Sequence, residues 1–199
     1  MEPHLSGKDK QMFYKYLDKA THYFEFGSGG STYQASLRPN IKHIITVESD
    51  KHWLDKLKTI IPVEIQSKRI TFILNDMDTL PNNWGNPGPK ATVEQKKSYS
   101  EHIRSLPTLI KEDPLNTKIR EFLIFIDGRF RVACCLKSHA IENATVIFDD
   151  FLDRPQYHVV LNYFDVVEKT TDKRMVVLRK KTNTLVPPEL IAKYELIHG

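Results

Sequence analysis

The chain has little cysteine: Cys134 and Cys135 are the only two, and they are neighbours. Disulfide geometry opposes pairing between adjacent cysteines, so a disulfide scaffold is excluded and a reducing compartment is expected. Long apolar runs are missing as well. The longest, such as Phe122-Leu-Ile-Phe-Ile126, are far too short to cross a bilayer as a helix, so no membrane association is expected. The first residues, Met1-Glu-Pro-His-Leu-Ser-Gly-Lys8, lack the apolar core of a secretory signal, and with the free thiols this points to a cytoplasmic location. Charge of one sign is not in excess. Lys and Arg number 29 against 25 Asp and Glu, a net +4, and the basic residues are scattered apart from Lys96-Lys97 and Arg179-Lys-Lys181. These read as solvated surface, an aromatic-plus-basic RNA-recognition core is lacking, and nucleic acid is not an expected partner. Internal repeats and low-complexity segments are absent too.

What is present is an ordinary globular composition over 199 residues, enough for one domain with a full-sized core. We expect a single domain over residues 1–199, with an insertion at about 77–118. Its most informative stretch is His22-Tyr-Phe-Glu-Phe-Gly-Ser-Gly-Gly-Ser-Thr32: a short apolar strand, a glycine-rich turn and a helix start. Glycine lets the backbone turn tightly and approach a ligand closely, and N–H groups at a helix start face that ligand. A second apolar strand, Ile44-Ile-Thr-Val-Glu48, ends in a carboxylate placed to accept from the two hydroxyls of a ribose. Strand, glycine turn, helix, strand and acid describe a nucleoside-cofactor site.

The rest of the chain continues the alternation. Residues 8–20 carry Met12, Phe13, Tyr16, Leu17 and Ala20 on one face of a helix. Strands are expected at Tyr23–Phe26, His43–Val47, Arg69–Asp76, Glu121–Ile126 and Ala144–Phe148, with helices at Ser31–Leu37, Asp50–Ile60, Phe130–Ile141 and, briefly, Tyr157–Tyr163. Asp50 is a candidate N-cap. Two further strands, Phe164–Thr170 and Arg174–Arg179, flank a turn at Thr171-Asp172-Lys173. The residues after Thr182 read as a loose tail. The insertion holds Pro, Asn and Gly turn chemistry around Trp84, then helical residues from Thr92 to Ser105, and reads as a lid or binding loop. Trp84 is either a cover for a ligand or a pin for the loop. The order predicts an α/β fold: a Rossmann-like three-layer sandwich with a mostly parallel seven-stranded sheet and a C-terminal antiparallel hairpin.

Ligands in such sheets bind at the carboxyl ends of the strands. Gly27 to Gly30, Glu48, Asp76, Asp127 and Asp149-Asp150 all follow strands, so one rim collects acids and glycines. Single acids there are often helix caps; their recurrence on one rim favours a site.

This pattern resembles the class I S-adenosylmethionine-dependent methyltransferases over residues 20–180. Their acid-x-Gly-x-Gly motif stands here as Glu25-Phe-Gly-Ser-Gly29, and the last-strand hairpin is also a family feature. The hairpin, and Thr32 at the place of a third glycine, separate the chain from NAD-binding dehydrogenases. The resemblance implies S-adenosylmethionine held by Glu25, Gly27, Ser28, Gly29, Gly30 and Ser31, by Glu48 and Ser49 at the ribose, by Asp76 and Met77 at the adenine, and by Asp127. A narrower resemblance, to a group of methyltransferase-like proteins with a D-G-R-F-R-V-A-C box, rests on Asp127 to Cys134 and on Val146-Ile-Phe-Asp-Asp-Phe151. Asp127, Asp149 and Asp150 also resemble the Mg²⁺ ligands of metal-dependent O-methyltransferases, where a hard cation lowers the pKa of a bound hydroxyl.

The expected function is O-directed methyl transfer to a small-molecule acceptor, with Mg²⁺ as a candidate second cofactor. The alternative is a methyltransferase-fold binding module without catalysis. Asp127 is the candidate general base or metal ligand, and His158 the second candidate for proton work. His139 lies past the rim and reads as structural. Arg129 and Arg131 either bind an anionic substrate group or pair with the rim acids, and pairing is expected for one of them. Cys134 reads as core packing. The Asn/Asp-Pro-Pro-Tyr/Phe signature of base amino-methyltransferases is absent after the fourth strand, where Ile126-Asp-Gly-Arg129 stands.

Overall fold

The computed structural model describes residues 1–81, 83–106, 121–171 and 174–199. A seven-stranded sheet has the order β3-β2-β1-β4-β5-β7-β6. Its strands are β1 His22–Phe26, β2 His43–Glu48, β3 Ile70–Leu74, β4 Phe122–Ile126, β5 Ala144–Phe148, β6 Phe164–Lys169 and β7 Val176–Lys180. The first five run parallel, and β7 enters antiparallel to both β5 and β6. This is the expected α/β Rossmann-like sandwich.

Helices cover both faces, which is why β1 and β5 are buried at every residue rather than at alternate ones. The period-2 geometry of a strand divides their side chains between two cores. Phe24, Phe26, Ile124 and Ile126 belong to one; Tyr23, Leu123, Phe125 and Ile147 belong to the other. Helices α1 (Gly7–Leu17) and α2 (Gly30–Ser36) cover the second core through Met12, Phe13, Leu17 and Ala35. Helix α3 (Lys51–Ile60) starts as expected at Asp50, whose carboxylate accepts from Trp53 N. The first core lies under α5 (Val93–Glu101), a 3₁₀ turn His102–Ser105, and α6 (Arg131–Ser138).

Three elements differ from the sequence reading. A seven-residue helix, α4 (Val63–Arg69), precedes β3 although none of its residues is buried, so it carries no apolar stripe to read. Part of the insertion packs into the body of the fold. Thr92 caps α5, whose Tyr99 is buried together with Ile103 and Leu106, so this half is core structure. The C-terminal stretch is not a loose tail. Helix α7 (Pro188–Tyr194) packs Leu190, Ile191 and Tyr194 on the first core, and buried Glu195 pairs with buried Lys137. The predicted turn residues Asp172 and Lys173 and the prolines Pro107 and Pro114 lie outside the described residues. No helix among the described residues is long and apolar enough to cross a membrane.

Candidate functional site

Because β1, β2, β4 and β5 are parallel, their C-terminal ends form one rim. Antiparallel β7 brings Arg174, two residues before its start, to the same rim. A cavity of about 920 Å³ opens there, at the upper end of the size usual for small-molecule sites.

One end of the cavity is the glycine loop. Gly27 has φ +92°, and a Cβ on it would stand 2.9 Å from the Gly128 backbone, so the loops after β1 and β4 touch through two glycines. Gly29 differs: the nearest atoms to a Cβ there belong to Trp53, at 3.8 Å. Glu48 faces this loop from the end of β2. Its Oε2 accepts from Ser28 N and Ser28 Oγ, both at 3.0 Å, and its Oε1 accepts from Ser49 N at 2.7 Å and Asp50 N at 2.9 Å. Burial raises the Glu48 pKa against these bonds, yet four donors hold the carboxylate in one orientation.

Two segments wall this end. The N-terminal residues Met1 to His4 line the cavity, with the Glu2–Pro3 backbone pressed on Gly30, where a Cβ would meet Glu2 O at 2.2 Å. Trp84 and Gly85 come from the insertion. The Gly85 carbonyl accepts from Ser49 Oγ at 2.9 Å, and the Trp84 ring, 76% exposed, lies 6.2 Å from that of His4.

The other end is a cluster of arginines and aspartates. Buried Arg131 donates to Asp127 Oδ1 at 3.0 Å, to Asp150 Oδ2 at 3.3 Å and to the Asp149 carbonyl at 2.8 Å. Arg154 reaches Asp150 Oδ2 at 2.8 Å, and Arg174 reaches Asp150 Oδ1 at 2.6 Å. Burial raises the Asp150 pKa, but Arg131, Arg174 and Arg154 outweigh it and hold the carboxyl below its ordinary range. Asp149 is the opposite case. Burial first, then the negative Asp127 and Asp150, push it to about 8, and its Oδ1 has no hydrogen-bond partner among the described residues. Burial also raises Asp127, against the pull of Arg131. Arg129 is pushed below its ordinary value by burial and by neighbouring Arg131.

Oxygens of Asp127, Asp149 and Asp150 lie within 4.8 Å of one another, so the expected acids do meet. Their pairing does not suit Mg²⁺. Asp150 already accepts from three guanidinium groups on its two oxygens, and Arg131 holds Asp127 as well. A divalent cation would have to displace these cations or lie beside them, and both are costly at low dielectric. The cations that balance the cluster among the described residues are these arginines.

The same arrangement of strands is found in known structures. A methyltransferase-like protein from Silicibacter pomeroyi DSS-3 matches with a TM-score of 0.78 at 21% identity, over 98% of this chain and 97% of that one. Cofactor-bound Rv0187 from MTB matches with a TM-score of 0.50 at 13% identity, over 92% of this chain and 84% of that one. The chain has the Rossmann-like methyltransferase fold. No family model matches it, and no curated protein does.

Set on the methyltransferase fold, the predicted site residues divide. Gly27, Ser28, Gly29, Gly30, Ser31, Glu48, Ser49, Asp127, Asp149 and Asp150 all line the cavity. Four do not. Glu25 is fully buried beneath the loop, accepting from Tyr23 Oη at 2.8 Å, Ser31 Oγ at 2.6 Å and Thr32 Oγ1. Its bonds shape the turn from below. Asp76 is exposed and accepts from Asp78 N, and Met77 is buried in the first core. The chain turns away after β3, and the wall expected of these two is made by Trp84 and Gly85. His158 bonds the Phe151 carbonyl at 3.0 Å with its ring against Phe151, outside the cavity, so it is a packing residue. His139 is bonded to Thr184 and meets the Phe164 ring edge to face. Cys134 and Cys135 are buried, with thiol pKa values pushed far up by burial, which removes them as nucleophiles.

The sequence reading missed Met1 to His4, Trp53, Tyr99, Arg154 and Arg174. None had a signal in the sequence alone, and for Arg174 it is the strand register that supplies the partner. With Phe148 paired to Val176, a residue two places after Phe148 faces one two places before Val176, which pairs Asp150 with Arg174.

Proposed function

We propose that the protein is an S-adenosylmethionine-dependent methyltransferase acting on a hydroxyl of a small-molecule acceptor. The observation that carries this reading is the Glu48 carboxylate, oriented by four donors at the cavity wall and facing the glycine loop. The cavity fits such a cofactor. Ser28 Oγ can rotate away from Glu48 and leave that oxygen to a ribose hydroxyl. Gly29 leaves open space where a side chain would project.

When bound, the cofactor supplies a methyl group already activated by a positive sulfur. The protein then has to align the acceptor and give its proton a place to go. Asp127 is the residue for that proton: it lines the cavity, and desolvation of its partly buried carboxyl raises its basicity. Arg131, anchored to the Gly128 and Asp149 carbonyls, holds Asp127 in place.

Calorimetry and thermal-shift measurements with S-adenosylmethionine and S-adenosylhomocysteine test the cofactor. Absence of heat and of a melting shift with both would end the reading. Transfer of a labelled methyl group over a panel of hydroxyl compounds tests the reaction. Asp127→Asn is expected to keep cofactor binding and lose turnover. Cofactor binding with no transfer to any acceptor would instead favour a binding module.

A further inference from the structure

The half of the cavity beyond the glycine loop holds four arginines, Arg129, Arg131, Arg154 and Arg174, against three aspartates. The pairing is uneven. Arg131, Arg154 and Arg174 converge on Asp150. Arg129 is left over: among the described residues its guanidinium bonds only the Trp84 carbonyl, through Nε at 2.8 Å and through Nη2. Of five N–H donors, Nη1 and half of Nη2 have no acceptor among the described residues. The group is half-buried and lies two residues from Arg131, so two like charges share a wall, and among the described residues no carboxylate forms an ion pair with the first, though Asp127 acts on it from further off.

The backbone enforces this placement. Phe130, a bulky and fully buried residue, sits in the left-handed region at φ 52° and ψ 37° between the two arginines. Trp84 at φ 53° and Asp150 at φ 54° share that conformation on the same wall. Each such residue costs about 1–2 kcal/mol and persists where the surroundings demand it. Here the three strained turns aim Arg129, its carbonyl partner and the arginine-binding carboxylate at one space.

We propose that this space receives an oxyanion of the acceptor, a carboxylate or a phosphate monoester, held by the planar fork of Arg129. The proposal names the substrate class for the methyltransferase reading and rests on that reading for its role, though anion binding itself does not depend on the cofactor. A guanidinium with its Nη1–Nη2 edge free matches both anions by paired hydrogen bonds, and a neutral acceptor leaves those donors unpaired in a desolvated wall.

The test titrates inorganic phosphate and malonate separately into the full chain at constant ionic strength, with and without S-adenosylhomocysteine. At least one probe is expected to bind, and the probe that binds identifies the anion as phosphate or carboxylate. Arg129→Gln should weaken that binding by about tenfold or more, the loss of a charge-assisted pair. Its affinity for S-adenosylhomocysteine should stay close to wild type. If Arg129→Gln fails to fold by circular dichroism, Arg129→Lys, which keeps charge but not the fork, is expected to show a smaller loss. No binding of either probe, or equal affinity in wild type and in the folded variant, overturns the proposal. Failure of S-adenosylhomocysteine to bind wild type, with phosphate or malonate still bound through Arg129, overturns the cofactor reading alone.

Discussion

Ser28 and Glu48 tie the ends of the first two strands together: the backbone N–H and the hydroxyl of Ser28 both donate to Glu48 Oε2, each at 3.0 Å. The bond orients a buried carboxylate at the cavity wall. Glu48→Gln replaces one acceptor oxygen with an amide that faces either Ser28 N or the N–H groups of Ser49 and Asp50. S-adenosylhomocysteine affinity is expected to fall by about tenfold or more, with stability reduced by about 1–3 kcal/mol. Calorimetry and urea unfolding read the two effects separately.

The glycines of the loop should divide by function. Gly27→Ala places a Cβ 2.9 Å from the Gly128 backbone on a residue at φ +92°. A loss of about 2–4 kcal/mol is expected by urea unfolding, from backbone strain and overpacking together. Gly29→Ala meets nothing closer than 3.8 Å and should leave stability nearly unchanged while blocking cofactor binding. Equal destabilisation by both would contradict this division.

Glu25 makes stability depend on pH. Burial, opposed by bonds from Ser31, Thr32 and Tyr23, raises its pKa from 4.5 to about 7. The folded state therefore keeps a proton that the unfolded chain releases. Its contribution is present in full below about pH 4.5 and is lost as pH rises through about 7, to an extent on the order of 3 kcal/mol. Urea midpoints across this range should fall with pH in wild type and fall less steeply in Glu25→Gln, the remaining slope coming from Asp149, Asp127 and Glu48, which are raised as well. An unchanged slope in the variant would assign the dependence to another group.

Lys137, its side chain 1% exposed, pairs with Glu101 at 2.6 Å and with buried Glu195, pinning the C-terminal helix to the core. Lys137→Met leaves Glu195 buried without its cation, and a loss of about 3–5 kcal/mol is expected. Combining it with Glu195→Leu should recover much of the loss. Hydrogen exchange is expected to rise selectively in Pro188–Tyr194 in the single variant.

The arginine pairing of the acidic cluster predicts no stoichiometric Mg²⁺ site. Calorimetric titration of Mg²⁺ should give no saturable heat, and Asp149→Ala should not change that trace. A one-to-one site in wild type that disappears in Asp149→Ala would show the arginines yielding to the cation.

The strands were readable because apolar runs between turn signals need no tertiary information. The five parallel strands and both hairpin strands fall within two residues of their predicted bounds, and Ala144–Phe148 coincides with the prediction. The glycine loop, Glu48 and the rim aspartates were readable because topology alone sends the residues after parallel strands to one edge. Glu25, Asp76, Met77 and His158 do not line the cavity, because sequence does not reveal which way a side chain faces after a turn. Helix α7 was missed because its apolar residues find a partner only in the distant first core.

The sequence by itself determined the sheet, the rim and the collection of glycines and acids upon it, since alternating elements and strand polarity follow from local pattern and chain order. Tertiary structure alone decided what the acids do. Antiparallel β7 delivers Arg174 to Asp150, and the turn through Phe130 separates the roles of Arg131 and Arg129. Whether a carboxylate binds a metal, a proton or a guanidinium depends on which charges share its low-dielectric space, and those charges come from residues far apart in the chain.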